Sequence, residues 1–195
     1  MRKLSTYLFL VLFAFQTLSW ADDIRDFQIE GMSIGDSLLD YFSEKEIIKA
    51  KMGTHFKSQK YKKIILEKLK KLELYDTLTL WVKDKDKTYK IYSVEGYVYF
   101  KKDMQNCYKK QKEVIAELND FFKELGVKDD GLHSRKHSGD KSGKSTITDS
   151  IFRFPKGDQI QISCMDFSKK TGWDDTMSIA IDTKEYADFL SNEAW

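Results

Sequence analysis

The residue with the most suggestive catalytic setting is Ser33, in a glycine-flanked turn near the start of the chain. Residues 31–35 read GMSIG and match G-x-S-x-G, the turn on which a hydrolase serine attacks an acyl group. Too few residues precede this turn to form the parallel strands that such a serine needs. Ser33 and Asp36 also match the S-x-x-D spacing of a capping box, so a helix cap is the favoured interpretation and a nucleophile is the alternative.

Two histidines four positions apart are the other residues whose spacing could support chemistry. His133 and His137 would share one side of a helix, and Asp129, Asp130 and Asp140 lie near them in the sequence. A Zn²⁺ or other transition-metal site needs three or four converging ligands, and a loop rich in Gly and Ser does not preorganise them. Surface histidines are therefore the favoured interpretation, with a metal site as the alternative.

A second glycine-rich stretch, residues 139–145 (GDKSGKS), is similar to a phosphate-binding P-loop. Only three residues separate its glycines where the motif requires four, and no apolar strand leads into it. The stretch is therefore predicted to be a solvated loop. No cofactor is predicted for this chain.

Seven lysines between Lys57 and Lys71 surround the apolar residues Ile64, Ile65 and Leu69. The apolar spacing over residues 60–74 favours a helix, which would be basic and amphipathic and could lie on anionic lipid. An ordinary surface helix with its apolar face in the core is favoured over this peripheral membrane contact. Residues 61–67 could alternatively form a strand.

The elements that must position these residues alternate between helices and strands. Further helices are predicted from Asp36 to Ile48, from 104 to 125 and from 184 to 192, because apolar residues recur there at helical spacing. Gly126 to Thr146 is predicted to be a mobile loop, since loops of this length inside a domain are usually functional or disordered. Alternating β-branched and aromatic residues predict strands at 77–82, 89–100, 150–154, 159–167 and 176–182.

Residues 1–21 have the features of an export signal. Arg2 and Lys3 form a positive start, residues 7–15 are an unbroken apolar run of nine, and residues 19–21 (SWA) place small residues at a signal-peptidase site. Nine apolar residues are too few to span a bilayer as a helix, which takes about 20. We therefore expect a cleaved signal peptide, a mature chain that begins near Asp22 and a periplasmic or secreted location.

Cleavage would remove two basic residues and no acidic ones, which leaves 31 residues of each sign. A neutral exported domain lacks the basic face that nucleic-acid binding requires, so this class of function is not expected. Residues 22–195 have a length that suits a single domain with a real core. No transmembrane segment is expected after the signal is removed.

The two cysteines of the chain, Cys107 and Cys164, are an even number in an oxidising compartment and predict a disulfide. Cys107 lies on the apolar stripe of the helix predicted at 104–125, and Cys164 shares a strand face with Ile160 and Ile162, so both thiols should point into one core. The element order predicts an α+β fold: a mostly antiparallel sheet of five to six strands, helices packed on one face and one disulfide.

The opening FQIEGMSIGDSLL, residues 27–39, resembles a group of uncharacterised exported proteins of alphaproteobacteria, as do Asp103, Cys107 and Cys164. The resemblance runs through the mature chain and implies export and paired cysteines. The turn into a helix at residues 29–33 is also similar to small α+β envelope modules of the BamE or BLIP kind. These modules carry G-x-P after that helix, whereas Gly53 is followed here by Thr54 and His55.

The leading hypothesis for function is a non-enzymatic envelope-associated module that binds an envelope protein or a small ligand. It depends on the lack of any nucleophile with a base beside it in the sequence pattern. The alternative is an envelope hydrolase or metal-dependent enzyme that uses Ser33 or the loop with His133 and His137.

Overall fold

The computed structural model describes residues 24–54, 56–68, 71–101 and 103–194, so the predicted signal peptide lies outside the described residues. The eight strands are β1 (Lys51–Met52), β2 (Tyr61–Ile65), β3 (Thr77–Lys83), β4 (Ile91–Tyr99), β5 (His133–Lys136), β6 (Thr146–Arg153), β7 (Gln159–Asp166) and β8 (Thr176–Asp182). The three helices within these residues are α1 (Glu44–Ala50), α2 (Met104–Phe121) and α3 (Lys184–Asn192).

The strands form one sheet in the order β1-β2-β3-β4-β8-β7-β6-β5, and every neighbouring pair is antiparallel. The order divides the sheet into two four-stranded meanders, each preceded in the chain by a helix, α1 for the first and α2 for the second. The two meanders join through their last strands, which pair from Ser93–Asp182 to Tyr99–Thr176. The second unit thus repeats the element order of the first, although the sequence shows no repeat.

The α+β class and the antiparallel sheet are as predicted, but the predicted five to six strands are too few. β1 is only two residues long, and β5 (HSRK) is polar and exposed throughout, so neither shows the apolar alternation that marks a strand. The lysine-rich segment forms strand β2 and a short 3-10 helix, which confirms the strand alternative at residues 61–67 over a helix.

The two faces of the sheet differ in what covers them. The face that carries Ile64, Leu80, Val94, Ile162 and Ile179, here called face A, is the main apolar core beneath α1 and α2. Alternate residues of the same strands form the opposite face, called face B.

The helix α3 packs on face B. Thr183 caps α3 directly after β8 ends, and Tyr186 and Phe189 pack on Tyr61 and Trp81. The prediction that all helices pack on one face is therefore wrong for α3. The aromatic side chains of β2 and β3 form an apolar surface on face B, and this helix packs against it.

The predicted disulfide is present and joins α2 to β7 within the face A core. Cys107 and Cys164 are both fully buried, with their Cα atoms 6.1 Å apart. The bond closes a loop with a sequence separation of 57 residues, which lowers the entropy of the unfolded chain by an amount worth about 4 kcal/mol. Helix α2 begins after its cap Asp103, and the chain leaves the following 3-10 turn at Gly126 with a φ of 68°.

The helix predicted from Asp36 to Ile48 with Ser33 at its cap is replaced by two shorter elements. A 3-10 turn covers Leu38–Asp40, and α1 begins only after Ser43, whose side chain forms a reciprocal capping box with Glu46. The S-x-x-E spacing of Ser43 and Glu46, and not the S-x-x-D spacing of Ser33 and Asp36, therefore starts the α-helix.

Candidate functional site

The candidate nucleophile Ser33 lies in the core beneath face A. Its side chain is 2% exposed, and its Oγ lies 2.7 Å from the carbonyl oxygen of Arg25 and 2.8 Å from that of Phe27, to which it donates. The backbone N–H of Ser33 donates to Asp36 at 2.9 Å. This geometry uses the hydroxyl to fasten the first described residues to the core.

The candidate metal ligands His133 and His137 lie along the edge of the sheet at β5 and just beyond it, so the helical arrangement considered for them is wrong. Residues four apart in a strand share a face but are separated by about 13 Å along the chain. His133 Nε2 lies 3.0 Å from the carbonyl oxygen of Asp130, and His137 Nδ1 accepts from the N–H of Gly139 at 3.0 Å. Within the described part of the chain, no group of three or more His, Cys, Asp or Glu residues could hold a metal ion.

The glycine-rich loop at 139–145 folds around its own carboxylate. Asp140 accepts hydrogen bonds from the backbone N–H groups of Ser142 and Ser145, from both of their hydroxyls and from the hydroxyl of Ser168. These bonds, with that of the Ser145 hydroxyl the largest cause, hold the pKa of Asp140 well below its usual range. The donors that would cradle a phosphate are thus engaged by Asp140, and the stretch predicted as a mobile loop contains both this structure and β5.

The described residues of the lysine-rich segment, 57–68 and 71, do not form the amphipathic helix that membrane contact would require. Tyr61 and Ile64 of β2 are fully buried in the sheet, one on each face. Lys60 lies 3.3 Å from Glu193 and 3.8 Å from Glu185, near the ends of α3. No helix in the described ranges is both long and apolar enough to cross a membrane.

One corner of face B is closed by α3 and is here called the covered corner. It consists of Tyr61, Trp81, Tyr92, Tyr186 and Phe189, which are all buried. The ring centroids of Tyr61 lie 5.0 Å from Tyr186 and 4.8 Å from Phe189. Lys83 lies over the ring of Tyr92 at 4.6 Å and forms an ion pair with Glu185 at 2.8 Å, which closes the rim.

The centre of face B carries two carboxylates. Glu95 of β4 is opposite Ala180, and Asp182 of β8 is opposite Ser93, so Glu95 and Asp182 are diagonal neighbours on this face. Asp182 is 2% exposed and accepts from the side-chain amide of Gln159 at 3.2 Å.

Burial raises the pKa of both central carboxyl groups. The pKa of Glu95 rises to about 7, with burial the largest cause, opposed by a hydrogen bond from Tyr97 and reinforced by the charge of Asp182. The pKa of Asp182 rises to about 6 through burial, although hydrogen bonds from Ser93 and Gln159 lower it in part. Both groups therefore change charge near neutral pH.

The corner of face B diagonally opposite α3, here called the open corner, is not covered by any described helix. It consists of Tyr99, His137, Met165, Phe167, Trp173 and Thr176. The ring centroid of Trp173 lies 5.1 Å from that of Phe167 and 5.5 Å from that of His137. Trp173 remains 45% exposed and Tyr99 39% exposed, whereas the aromatic side chains of the covered corner are buried.

A recessed polar atom lies between the aromatic residues of the open corner. Thr176 is opposite Tyr99 in β4 and Met165 in β7, and it is only 4% exposed. Its Oγ1 is one of the buried side-chain atoms that have no hydrogen-bond partner within the described ranges. Buried hydroxyls are almost always hydrogen-bonded, so an unpartnered hydroxyl beneath this corner is unusual.

Comparison with protein-family models, with curated proteins and with solved structures finds no match for this chain. Its fold is of the α+β class, with one eight-stranded antiparallel sheet in which two helix-and-meander units join edge to edge. The resemblance to exported alphaproteobacterial proteins stays a prediction.

Sequence reasoning missed Glu95, Asp182, Tyr99 and Trp173. The first three lie at alternate positions of β4 and β8, among the polar and aromatic residues that fall between the apolar positions of face A. That alternation indicates that the second face of the sheet carries polar and aromatic side chains, and it is the signal that could have pointed to Glu95, Asp182 and Tyr99. Trp173, in the loop before β8, carries no local signal, because only the tertiary structure places it beside Phe167 and His137.

Proposed function

We propose that this chain is an exported, non-enzymatic binding module of the cell envelope, periplasmic or secreted, which binds its partner through the uncovered part of face B. The observation that carries the proposal is the pair of large exposed side chains, Trp173 and Tyr99, around the recessed Thr176. Tryptophan and tyrosine in such settings contribute most of the binding energy of many interfaces.

Export is supported by the signal-like residues 1–21 and by the disulfide between Cys107 and Cys164, since stable disulfides occur mainly in oxidising compartments. A binding role is favoured over a hydrolase because the hydroxyl of Ser33 is engaged by two carbonyl groups beneath face A. His133 and His137 lie at the far edge of the sheet and do not meet Ser33.

Site-specific photo-crosslinking in the cells that export the protein tests this proposal. A photoreactive phenylalanine analogue replaces Tyr99 or Trp173 in the open corner, and in control variants it replaces Leu39 or Ile48, which are 44% and 56% exposed away from face B. We expect a discrete adduct of higher mass from the two open-corner positions and none from the control positions.

Equal crosslinking at all four positions, or none at Tyr99 and Trp173, would contradict the proposed binding face. The enzymatic alternative is tested with purified mature protein in a hydrolase substrate screen. Turnover by the wild type that is lost in the Ser33→Ala variant would overturn the non-enzymatic part of the proposal.

A further inference from the structure

Two segments that border the open corner are basic, although the mature chain is predicted to be neutral. On the side of Tyr99 the exposed Asp76 is acidic and accepts the backbone N–H of Tyr99 at 2.9 Å. In the two segments that enclose the corner, residues 133–146 and 166–175, the exposed acidic residues are only Asp166 and Asp174. Asp140 and Asp175 are buried and are engaged by hydrogen bonds from within the chain. The exposed basic residues of the same segments are Arg135, Lys136, Lys141, Lys144, Lys169 and Lys170, of which Arg135 is paired with Asp149 at 2.7 Å.

We infer that the open corner docks an acidic protein segment, one that places an apolar side chain against Trp173 and Tyr99 and carboxylates against the surrounding lysines. This inference rests on the proposed binding function and names the class of its partner. The lysines steer an acidic partner towards the corner, and the aromatic side chains retain it.

The shape of the corner favours a protein segment over a lipid surface. Met165 and Thr176 are 9% and 4% exposed, although no described helix covers them, so they lie recessed between the exposed side chains of Tyr99, Trp173 and Arg135. A planar bilayer would meet only the protruding side chains. A loop or an extended segment can follow this uneven surface.

The charge also disfavours a second copy of the chain in the same position. Two open corners facing each other would bring the exposed Lys169 and Lys170 of one copy towards those of the other, and like charges repel across an interface. A different, acidic partner avoids this repulsion.

The test is a selection of random 12-residue peptides displayed on phage against the folded, disulfide-bonded mature protein. We expect the selected peptides to be rich in Asp and Glu around an aromatic or aliphatic residue. Binding of a selected synthetic peptide should fall at least tenfold in Trp173→Ala and in Lys169→Glu/Lys170→Glu, and it should weaken as salt is raised. The matched controls Ile48→Ala and Lys109→Glu/Lys112→Glu should bind as the wild type does.

Several results would overturn the inference. The first is a selection that yields no acidic peptides, and the second is peptide binding that survives Trp173→Ala. The third is co-sedimentation with phosphatidylglycerol vesicles that depends on Lys169 and Lys170, in a protein that binds no peptide. A dimer in sedimentation analysis that dissociates in Trp173→Ala would show that the occupant is a second copy. If crosslinking at Tyr99 succeeds while the peptide selection fails, the proposed binding face stands and only the acidic partner is wrong.

Discussion

The covered corner and the open corner of face B have similar aromatic composition but different surroundings. In the covered corner, Phe189 and Tyr186 of α3 bury Tyr61 and Trp81, and the cluster contributes to folding. In the open corner, Trp173 packs on the rings of Phe167 and His137 and leaves nearly half of its surface exposed. The apolar surface of the covered corner is therefore used within the chain, whereas that of the open corner stays partly exposed and is the surface for which we propose a partner.

The largest effect is expected from Phe189→Ala, which removes a fully buried ring from the covered corner. Loss of buried contacts and the resulting cavity should lower the free energy of unfolding by about 3–5 kcal/mol. Urea unfolding of the oxidised mature protein measures this. A loss below 1 kcal/mol would show that α3 does not contribute to the fold as its packing indicates.

The next largest effect on stability is expected from loss of the disulfide. The bond lies on face A beneath the open corner, whereas α3 lies on face B over the covered corner. Cys164 precedes Met165 in β7, and the bond fixes that strand to α2. The double variant Cys107→Ala/Cys164→Ala should lose about 3–4 kcal/mol of unfolding free energy by the loop-entropy argument. An unfolding midpoint equal to that of the wild type under the same non-reducing conditions would contradict this.

Glu95→Gln tests the centre of the face and should change the pH dependence of stability. The pKa of Glu95 is raised to about 7 in the folded protein, so the folded state holds a proton that the unfolded state has already released. Stability from this group is therefore highest below about pH 4 and falls as the pH rises towards 7. Asp182, with a pKa of about 6, adds a fall of the same sign over a narrower range.

The variant should remove most of that fall and unfold with about 3 kcal/mol more free energy than the wild type at pH 8, with little difference at pH 4. Unfolding curves at a series of pH values measure this, with the exposed Glu124→Gln as the control. If stability falls between pH 5 and 7 by the same amount in the wild type and in Glu95→Gln, Glu95 is not the group responsible.

The smallest effect on stability is expected from Trp173→Ala in the open corner. Because nearly half of this side chain is exposed, its loss should cost only about 1 kcal/mol of unfolding free energy. The comparison of the two corners fails if Trp173→Ala is as destabilising as Phe189→Ala in the same urea experiment.

Much of the framework could be predicted from the sequence, because apolar periodicity and alternation are strong wherever an element has one buried side. The apolar spacing predicts helix α3 at residues 184–192, as the structure has it. The apolar stripe of the helix with Cys107 and the apolar strand face with Cys164 predict the disulfide that the structure contains. Strand β5 could not be predicted, since an edge strand with four exposed polar residues has no apolar pattern. The lysine-rich segment was ambiguous because its apolar residues fit both periods.

The candidate site was harder to predict than the fold. Motif spacing drew attention to Ser33 and to His133, whereas the open corner depends on which face α3 covers and on how the loop with Trp173 folds back. Glycine-rich patterns were equally ambiguous, because the loop at 139–145 is organised by the buried carboxylate of Asp140. Tertiary contacts of this kind leave no local signal.

The most direct test of the account is the crosslink formed from position 99 in living cells, measured in the Trp173→Ala background and in an Ile48→Ala background. The account predicts that the adduct from Tyr99 disappears with Trp173→Ala, while the purified variant keeps an unfolding midpoint close to that of the wild type. It also predicts that Ile48→Ala leaves the adduct unchanged. An adduct of undiminished yield in the Trp173→Ala background would contradict the assignment of the open corner as the binding surface.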